Sequence, residues 1–350
     1  MNILLTSAGR RGYLVEYFKE ALKTEGEVHV GNSTAQSPAF YYADKNVITP
    51  MIYDKDYIPF ILRYCIKNKI ETVISLFDVD LFILAQNKEL FKANGINVIV
   101  SDIGVVEMCN DKWKTYEFCI KNNINTPKTY KSIEKLKDDI SDRKINFPII
   151  IKPRWGMGSI GIFEAMSIEE LEILSRVVKR KIFNSYLQYE AEIDKEQCII
   201  YQEKINGKEF GLDIINDLHS KCRKIIVREK YAMRSGETDC AVVRKNLLLE
   251  QLGEDIGKQT KHIGNMDVDI LLSGKDIYVI EFNARFGGGY PFSYESGVNL
   301  PKALIKWVQN KEISDELDVD RYNRVLQKDI RLIDITEFYK ETNYEKSIKK

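Results

Sequence analysis

Residues 267–289 read D-V-D-I-L-L-S-G-K-D-I-Y-V-I-E-F-N-A-R-F-G-G-G. This stretch predicts two short apolar strands joined by a turn at residues 273–276, since strand side chains alternate between the two faces of a sheet. The polar side chains share one face of each strand: Asp267 and Asp269 on the first, and Glu281, Asn283 and Arg285 on the second. The pattern therefore predicts an antiparallel hairpin with one acidic face.

The acidic face has the chemistry of a magnesium site. Two carboxylates and an amide oxygen that pack together repel one another unless a cation lies between them, and hard oxygen ligands favour Mg²⁺. Magnesium completes its shell with phosphate oxygens, and Arg285 offers a planar fork of donors to phosphate. We interpret the hairpin as a magnesium–nucleotide site, with a solvated acidic face as the alternative. Either Asp267 or Asp269 can be the ligand, because the sequence does not define the register.

The composition argues against several other classes of function. The 350 residues carry 52 Lys and Arg and 52 Asp and Glu, and this zero net charge disfavours a general nucleic-acid-binding protein. No apolar run approaches the length of a membrane span, and the N-terminus lacks the order of a signal peptide. The six cysteines form no C-x-x-C pair, and the three histidines are far apart, so neither a zinc site nor a Ser-His-Asp triad is expected. We expect a cytoplasmic protein with reduced thiols.

The first hundred residues predict a doubly wound α/β unit. A strand at residues 2–6, a turn at 7–12 and a helix at 13–23 form the opening of such a unit. The turn carries G-x-x-G rather than G-x-G-x-x-G, so a Rossmann-type oxidoreductase is a weaker alternative. The turn either holds an anion on its backbone N–H groups or is a simple tight turn. Further strands are predicted at 28–31, 72–76 and 96–100, and helices at 56–68 and 81–94.

Two aspartates follow the predicted strand 72–76. Ligands on parallel sheets bind beyond the carboxyl ends of the strands, so Asp78 and Asp80 are placed to line a substrate cleft. Aspartate also caps helices. We expect at least one of the two to cap the helix that follows.

A second informative stretch begins at the predicted strand 147–152, which ends on Lys152 and continues as P-R-W-G-M-G-S-I-G. Glycines at 156, 158 and 161 allow backbone N–H groups to approach an anion, and the lysine adds a point charge for phosphate. The loop is not a Walker A motif, because no G-K-[ST] enters a helix. It binds nucleotide phosphate or is a flexible hairpin loop.

The remaining chain alternates between helical and strand patterns. Helices are predicted at 110–121, 132–139, 168–180 and 246–263, with one or two more within 294–309. Strands are predicted at 198–202, 210–215, 224–229 and 329–335. Residues 228–237 are predicted to form a polar, basic substrate loop, and residues 343–350 to be frayed.

Four separated motifs occur in a fixed order: the helix with Lys112, the Lys152–glycine loop, Q-E-x-I-x-G-x-E at 202–209 and the D…E-x-N-x-R hairpin. In this order and spacing the chain resembles the ATP-grasp superfamily over roughly residues 1–310. Within it, the chain is similar to one half of the carbamoyl-phosphate synthase large subunit and to stand-alone carboxylate–amine ligases. The specificity of the resemblance comes from the agreement of all four motifs.

The resemblance implies an α/β plus α+β protein with an ATP-grasp fold and an N-terminal doubly wound pre-ATP-grasp domain. Residues 1–110 are predicted to form that domain, 111–200 the lobe with the glycine-rich loop, 201–311 the lobe with the metal site, and 312–350 a C-terminal extension. The two lobes are expected to clamp ATP.

The resemblance also assigns roles to single residues. ATP contacts are assigned to Lys112, Lys152, Gly156, Gly158, Ser159, Gly161, Glu203, Lys204, Ile205 and Glu209. The ligands of Mg²⁺ (or Mn²⁺) are assigned as Asp269, Glu281 and Asn283. Catalytic contacts are assigned to Lys152, Arg285 and Arg234. Arg228 and Arg234 either bind the substrate carboxylate or acyl phosphate or are ordinary surface arginines.

The implied reaction joins a small-molecule carboxylate to an amine through an acyl phosphate, giving an amide, ADP and phosphate. The alternatives are a carbamoyl-phosphate-type kinase or synthase and a non-catalytic nucleotide-binding regulatory protein. No nucleic acid or membrane partner is expected, and the resemblance allows a homodimer. The sequence does not identify the acid or the amine.

Overall fold

The computed structural model describes residues 1–156 and 160–340. Its N-terminal part is a parallel sheet with the strand order β3-β2-β1-β4-β5. In chain order the elements are β1 (Asn2–Thr6), α1 (Gly12–Leu22), β2 (Val28–Asn32), a 3₁₀ helix (Pro38–Tyr42), β3 (Lys45–Ile48), α2 (Tyr57–Lys67), β4 (Ile70–Ser75), α3 (Asp78–Gln86), α4 (Lys88–Ala93), β5 (Asn97–Ile99) and α5 (Ile103–Asn110). The strand order reverses between β1 and β4, which places a ligand crevice beyond their carboxyl ends.

Two local predictions in this part are wrong. The helix predicted at 81–94 is two helices, α3 and α4, which are separated by Asn87. The Asn87 side-chain amide donates to the Ile83 carbonyl at 2.8 Å, and an asparagine that bonds the backbone in this way competes with helix continuation. Neither Asp78 nor Asp80 caps α3, because Phe77 occupies the cap position. Asp80 is instead buried and accepts hydrogen bonds from side chains of β1, the following turn, α2 and β4.

The middle part is a four-stranded antiparallel sheet with the order β6-β9-β7-β8. Its elements are α6 (Lys112–Lys121), β6 (Thr129–Tyr130), α7 (Ile133–Ser141), β7 (Ile149–Pro153), β8 (Phe163–Ala165), α8 (Ile168–Phe183), α9 (Gln188–Ala191) and β9 (Ile199–Glu203). Buried Leu171, Val178 and Ile182 of α8 belong to one apolar core with the sheet. The long helix ends three residues later than predicted, because Ile182 extends its apolar face.

The C-terminal part is a six-stranded sheet with the order β14-β13-β10-β11-β12-β15. Its elements are β10 (Lys208–Asn216), β11 (Cys222–Arg234), β12 (Glu237–Arg244), α10 (Leu247–Thr260), β13 (Gly264–Ser273), β14 (Asp276–Asn283), α11 (Tyr290–Tyr294), α12 (Leu300–Val308), β15 (Val325–Gln327) and α13 (Thr336–Lys340). The predicted hairpin of residues 267–289 is present as β13 and β14.

The prediction that residues 228–237 form a basic loop is wrong. Residues up to Arg234 continue β11, and β12 begins at Glu237 after a turn of only two residues. Ser235 and Gly236 both have positive φ, 50° and 78°, as tight hairpin turns require. Charged residues did not end the strand, because β11 is paired on both sides, with β10 and with β12.

The prediction of a strand at residues 329–335 is also wrong. The strand in this region is β15, which pairs with β12 through Val325, Leu326 and Gln327. The Lys328 N–H still donates to the Asp239 carbonyl at 2.8 Å, and residues 329–335 then have no regular secondary structure. Apolar alternation makes a strand only where a neighbouring strand offers a pairing edge. The prediction for residues 343–350 lies outside the described residues.

The predicted domain boundaries stay predictions. The boundary between 200 and 201 falls inside β9, which belongs to the four-stranded sheet. The extension from 312 onwards contributes β15 to the six-stranded sheet.

All six cysteines lie in the described part of the chain, and all are free thiols. Over residues 1–156 and 160–340, no helix combines the length and the apolar character needed to cross a bilayer.

Candidate active site

A cavity of about 930 Å³ lies between the N-terminal sheet, the four-stranded sheet and the six-stranded sheet. The structure brings eight of the predicted site residues to its wall: Lys112, Lys152, Gly156, Arg234, Asp269, Glu281, Asn283 and Arg285. The lining does not include Gly161, Glu203, Lys204, Ile205 or Glu209. Gly158 and Ser159 lie outside the described residues.

The hairpin register identifies which aspartate faces the glutamate. Asp269 pairs with Glu281 across β13 and β14, and Asp267 pairs with Asn283. Directly opposed residues on one face have Cβ atoms about 4.5–5.5 Å apart. Asp269 and Glu281 are therefore directly opposed carboxylates on the cavity wall, and Asp267 lines the same cavity. The Asp267 carboxylate is bound by two cations, since it lies 2.7 Å from Arg228 and 3.4 Å from Arg285.

Lys112 reaches this carboxylate pair from the first turn of α6. Its Nζ lies 3.2 Å from Glu281 Oε1 and also donates to the Gly156 carbonyl. The helix start is held by Asp111, whose side chain accepts from Trp113 N–H at 2.9 Å and forms a two-pronged ion pair with Arg154. Because Arg154 follows the end of β7, this ion pair places Lys112 beside Lys152.

Lys152 is buried at the end of β7, and its Nζ donates to Gln202 Oε1 at 2.8 Å. Burial lowers the pKa of Lys152 to about 8, and the positive charge of Lys112 acts in the same direction. Glu281 and Asp269 oppose this shift, and no carboxylate forms an ion pair with Lys152 within residues 1–156 and 160–340. An unpaired ammonium group that faces the cavity is suited to receive an anion.

The two carboxylates differ in their proton affinity. Burial raises the pKa of Glu281, but the ammonium groups of Lys112 and Lys152 reverse the shift and lower the pKa below its ordinary value. Burial raises the pKa of Asp269, and its neighbours Asp267 and Glu281 act in the same direction against the opposing charge of Lys230. A divalent cation between Asp269 and Glu281 would favour the charged form of both.

A pH dependence of nucleotide binding follows from the shifted pKa of Lys152. Below about pH 8 the side chain carries its charge, and above it the charge is lost, so binding a polyphosphate must first protonate the amine. We expect the dissociation constant for MgATP to rise towards tenfold per pH unit between about pH 8 and 9. Calorimetric titration at several pH values measures this slope.

The matched control for this pH dependence is Lys152→Arg, because a guanidinium group stays charged over the whole range. The variant should bind MgATP with an affinity that is flat across the same pH values. A flat profile for the wild-type chain would contradict the assignment of Lys152 as a phosphate contact.

Lys230 is a cavity-lining residue that the sequence analysis did not assign to the site. It lies on β11, and its Nζ contacts Asp269 on β13 across the intervening strand β10. The crossing is allowed by Gly211, where an added Cβ would lie 3.0 Å from Arg228 Nη2 and 3.1 Å from Lys230 Cε. A glycine inside a strand marks such close approaches, and this was the signal available in the sequence.

Arg228 is not a surface arginine, and it is not among the residues that line the cavity. It is fully buried, ion-paired with Asp213, and 2.7 Å from Asp267. Ser293 Oγ donates to the same Asp213 carboxylate at 2.5 Å. Arg228 therefore lies beneath the site and holds Asp267 in place.

The glycine turn at 287–289 covers this buried ion pair. A Cβ added to Gly287 would lie 2.3 Å from Asp267 Oδ2, and one added to Gly289 would lie 2.7 Å from Arg228 Nε. Both distances are shorter than real contacts allow, so only glycine lets the chain pass this close to the charged groups.

Arg285 connects the hairpin to the N-terminal sheet. Its Nη2 and Nε lie 2.9 and 3.0 Å from Asp78 Oδ2, beyond the carboxyl end of β4. Burial alone would lower the pKa of Arg285, but Asp78 and Asp267 outweigh this and raise it, so the side chain keeps its charge. The predicted phosphate contact of Arg285 stays a prediction, and its present partners are carboxylates.

Arg234 lies at the end of β11, exposed towards the cavity. One guanidinium nitrogen is 3.0 Å from Asp239 Oδ2. Its predicted contact with substrate is not tested by this arrangement and stays a prediction.

The residues predicted to bind adenosine lie around the link between β9 and β10. Glu203 ends β9, and its carboxylate accepts from the Lys128 N–H at 3.3 Å. Lys204 donates to both oxygens of Glu164 at 2.8 Å. Glu209 is exposed on β10. This segment connects the two antiparallel sheets, as a hinge between lobes would, and its adenine and ribose contacts stay predictions.

The donor set fits a magnesium ion that arrives with phosphate. Within residues 1–156 and 160–340, no group of three or more His, Cys, Asp or Glu side chains could hold a metal ion by itself. Asp269 and Glu281 supply two carboxylates, and Asn283 adds an amide oxygen on the same cavity wall. Magnesium commonly binds through one or two carboxylates plus substrate phosphates, whereas a zinc site would need nitrogen or sulfur ligands.

Comparison with known families identifies the architecture. The family model described as "ATP-grasp domain" matches residues 109–289, and the model described as "PylC-like, N-terminal domain" matches residues 3–99. The chain belongs to the ATP-grasp family. The match confirms the predicted fold and the predicted class of protein, an ATP-grasp enzyme.

Individual relatives are distant and share the fold. The carbamoyl phosphate synthase large chain of Campylobacter jejuni is 25% identical over 253 residues, which are 69% of this ATP-grasp chain and 22% of that protein. The chain thus spans about a fifth of the length of that relative. A biotin carboxylase structure from Campylobacter jejuni has a TM-score of 0.71 at 16% identity and covers 91% of this chain and 73% of its own. The L-amino acid ligase of Bacillus licheniformis has a TM-score of 0.68 at 20% identity, covering 93% and 79%.

Proposed function

We propose that this ATP-grasp chain is an ATP-dependent carboxylate–amine ligase that works through an acyl phosphate. The observation that supports the proposal most directly is the pairing of Asp269 with Glu281 in one cavity with Lys112 and the unpaired ammonium group of Lys152. Paired carboxylates beside converging cations are suited to bind a metal–polyphosphate complex.

ATP is the proposed substrate that brings the metal into the site. Mg²⁺ (or Mn²⁺), when bound, would neutralise and align the polyphosphate, held by Asp269, Glu281 and Asn283. Lys152 and Lys112 add positive charge beside the phosphates, and Lys112 is already tied to the Gly156 carbonyl at the start of the glycine-rich loop. In this proposal, phosphate oxygens replace Glu281 as the partner of Lys112.

The proposed reaction balances without a nucleophile from the protein. A carboxylate oxygen of the acid attacks the γ-phosphorus of ATP, the bond to the ADP oxygen breaks, and an acyl phosphate forms. An amine then attacks the acyl carbon, phosphate leaves, and the nitrogen loses a proton to give the amide. Lys152 and Arg285 would stabilise the charge that develops on the transferred phosphoryl group, and Arg234 the substrate carboxylate.

The N-terminal sheet supplies the other wall of the cavity. Asp78 and the turn after β1 lie at the strand-order reversal, where doubly wound sheets bind ligands. We propose that the small-molecule acid and amine enter from this side. The solved L-amino acid ligase with the same fold is consistent with such an arrangement.

The decisive experiment is a phosphate-release screen of the purified chain with MgATP, in which amino acids are paired with carboxylic acids. We expect phosphate release that requires both an acid and an amine, with the amide detected by mass spectrometry. Release with an acid or carbamate but without a nitrogen acceptor would instead favour the carbamoyl-phosphate-type activity, which the large-chain relatives suggest. Nucleotide binding with no release under any condition would favour a regulatory protein.

A homodimer is the proposed assembly, because one structural neighbour is described as a biotin carboxylase domain dimer. Light scattering of the purified chain tests this proposal, and a mass near 40.6 kDa would contradict it.

A further inference from the structure

The chain beyond the ATP-grasp match returns to the cavity. We name residues 325–338 the C-terminal strap; they lie outside the matched range 109–289. The strap begins as β15 on the edge of the six-stranded sheet and leaves it at Lys328. Five residues of the strap line the cavity: Lys328, Asp329, Ile330, Arg331 and Ile333.

The strap is anchored on both sides of the cavity. Lys328 Nζ donates to the Gly288 carbonyl at 2.7 Å and lies 5.8 Å from the centre of the Tyr13 ring. At the other end, Phe338 packs edge-on against Phe40 with ring centres 5.7 Å apart. The strap therefore runs from the edge of the six-stranded sheet to the N-terminal sheet region that carries Phe40, and Arg331 lies between the two anchors in the chain.

The second anchor lies next to the turn that follows β1. Phe40 belongs to the 3₁₀ helix, and the N–H of its neighbour Ala39 donates to the Gly9 carbonyl at 3.1 Å. Arg10, which follows Gly9 in the chain, lines the same cavity as Arg331. Two arginines, one from the turn after β1 and one from the strap, thus line the cavity, and Arg10 follows the strand end beyond which the sheet predicts a ligand.

These two arginines differ from most cations of the cavity. Within residues 1–156 and 160–340, neither Arg10 nor Arg331 has an ion-pair partner. Lys152 is the third cavity-lining cation without an ion-pair partner in this part of the chain, and we have already proposed that it contacts phosphate. The other lining cations each have a carboxylate within 4.0 Å: Arg11, Lys112, Lys230, Arg234, Arg285 and Lys328. An unpaired guanidinium group beside a ligand crevice is suited to a planar or tetrahedral anion.

We propose that the acid substrate carries a second anionic group, a carboxylate or a phosphate, that is bound by Arg331 of the strap together with Arg10. This inference rests on the proposed ligase function and adds the chemical class of the acid. One anionic group is activated at the Lys152 end of the cavity, and the other is held at the strap end. Arg331 is then a specificity-determining residue.

The strap also offers a matched control. Leu332, next to Arg331, is 94% exposed and is not among the cavity-lining residues. Replacing Leu332 with alanine changes the strap at the neighbouring position without removing a cation. Arg331→Lys keeps the charge but loses the two-pronged geometry, so it should recover part of the affinity that Arg331→Ala loses.

The test compares binding of paired acids by calorimetry in the presence of MgADP. The probes are the diacids from malonate to adipate, phosphonocarboxylates of the same chain lengths, and the monoamide of each diacid. We expect the wild-type chain to bind at least one dianionic acid about 10- to 100-fold more tightly than its monoamide, as a charge-assisted contact implies. Arg331→Ala should abolish this preference, Arg331→Lys should retain part of it, and Leu332→Ala should keep it. The two probe arms show whether the second group is a carboxylate or a phosphate.

The outcomes separate this inference from the ligase proposal. The inference is overturned if no dianionic probe binds more tightly than its monoamide. It is also overturned if Arg331→Ala shows the same preference for the dianionic probe as Leu332→Ala and the wild-type chain. If the preference depends on Arg331 but no acid and amine pair gives phosphate release, the anion site stands and the ligase proposal fails. If phosphate release occurs with monoanionic acids as readily as with dianionic ones, the ligase proposal stands and this inference fails.

Discussion

Replacing Glu281 with glutamine is expected to reduce acid- and amine-dependent phosphate release at least about 100-fold. The substitution keeps the size of the side chain and removes its charge. It therefore removes one of the two adjacent carboxylates that would hold the metal, and the ion-pair partner of Lys112 as well. We expect kcat to fall and the enhancement of nucleotide binding by Mg²⁺ to weaken together, because both depend on the same carboxylate.

The fold is expected to survive this substitution, since Lys112 keeps its hydrogen bond to the Gly156 carbonyl and β14 keeps its backbone pairing. The matched control is Asp276→Asn, which removes a carboxylate from the exposed hairpin turn. That variant should show wild-type activity. Glu281→Gln with more than half of the wild-type rate would refute the assignment of the metal site.

Replacing Arg228 with leucine is expected to lower the free energy of unfolding by about 3–5 kcal/mol. The change leaves the buried Asp213 without its ion-pair partner, and leaves Asp267 with only its longer, 3.4 Å contact with Arg285. Leaving a buried charge unpaired costs far more than the ion pair itself contributes. Urea unfolding followed by circular dichroism measures the difference.

Two further variants make the cause of this loss testable. Lys258→Ala removes an exposed helical ion pair with Glu254 and should cost less than about 0.5 kcal/mol. Combining Arg228→Leu with Asp213→Asn and Asp267→Asn should recover part of the lost stability, because the uncompensated charges are then gone. Equal stability of Arg228→Leu and the wild-type chain would show that the buried ion pair is not needed for folding.

Part of the hairpin structure could be predicted from the local sequence. Alternation along 267–273 and 276–283 predicted two paired strands, and the acids do share one face. Which aspartate lies opposite Glu281 depended on the register, and the structure pairs Asp269 with Glu281 and Asp267 with Asn283. The identity of the metal ligand stays a prediction. Arg228, the partner of Asp267 on β11, lies 39 residues away in the chain, and no local pattern relates the two.

The charged composition of residues 228–237 led to the wrong prediction of an exposed loop. A cluster of charged residues is typical of an exposed loop, but pairing of β11 with β10 and β12 extends the strand to Arg234. Arg228 then points across Gly211 into the protein, where Asp213 and Asp267 compensate its charge. Burial of a charge depends on such partners, which are distant in the sequence.

Local order and residue type by themselves determined the parallel N-terminal unit, the acidic hairpin, and the lysine and glycine motifs that identify the ATP-grasp fold, because alternation, turn chemistry and motif order are properties of neighbouring residues. Only the tertiary structure decided that Asp269 faces Glu281, that Arg228 is buried, that Lys230 contacts Asp269, and that the strap carries Arg331 back to the cavity. Apart from the hairpin register, each of these depends on contacts between segments that are far apart in the chain, and the free energy of such contacts is set by packing and charge compensation in the assembled fold.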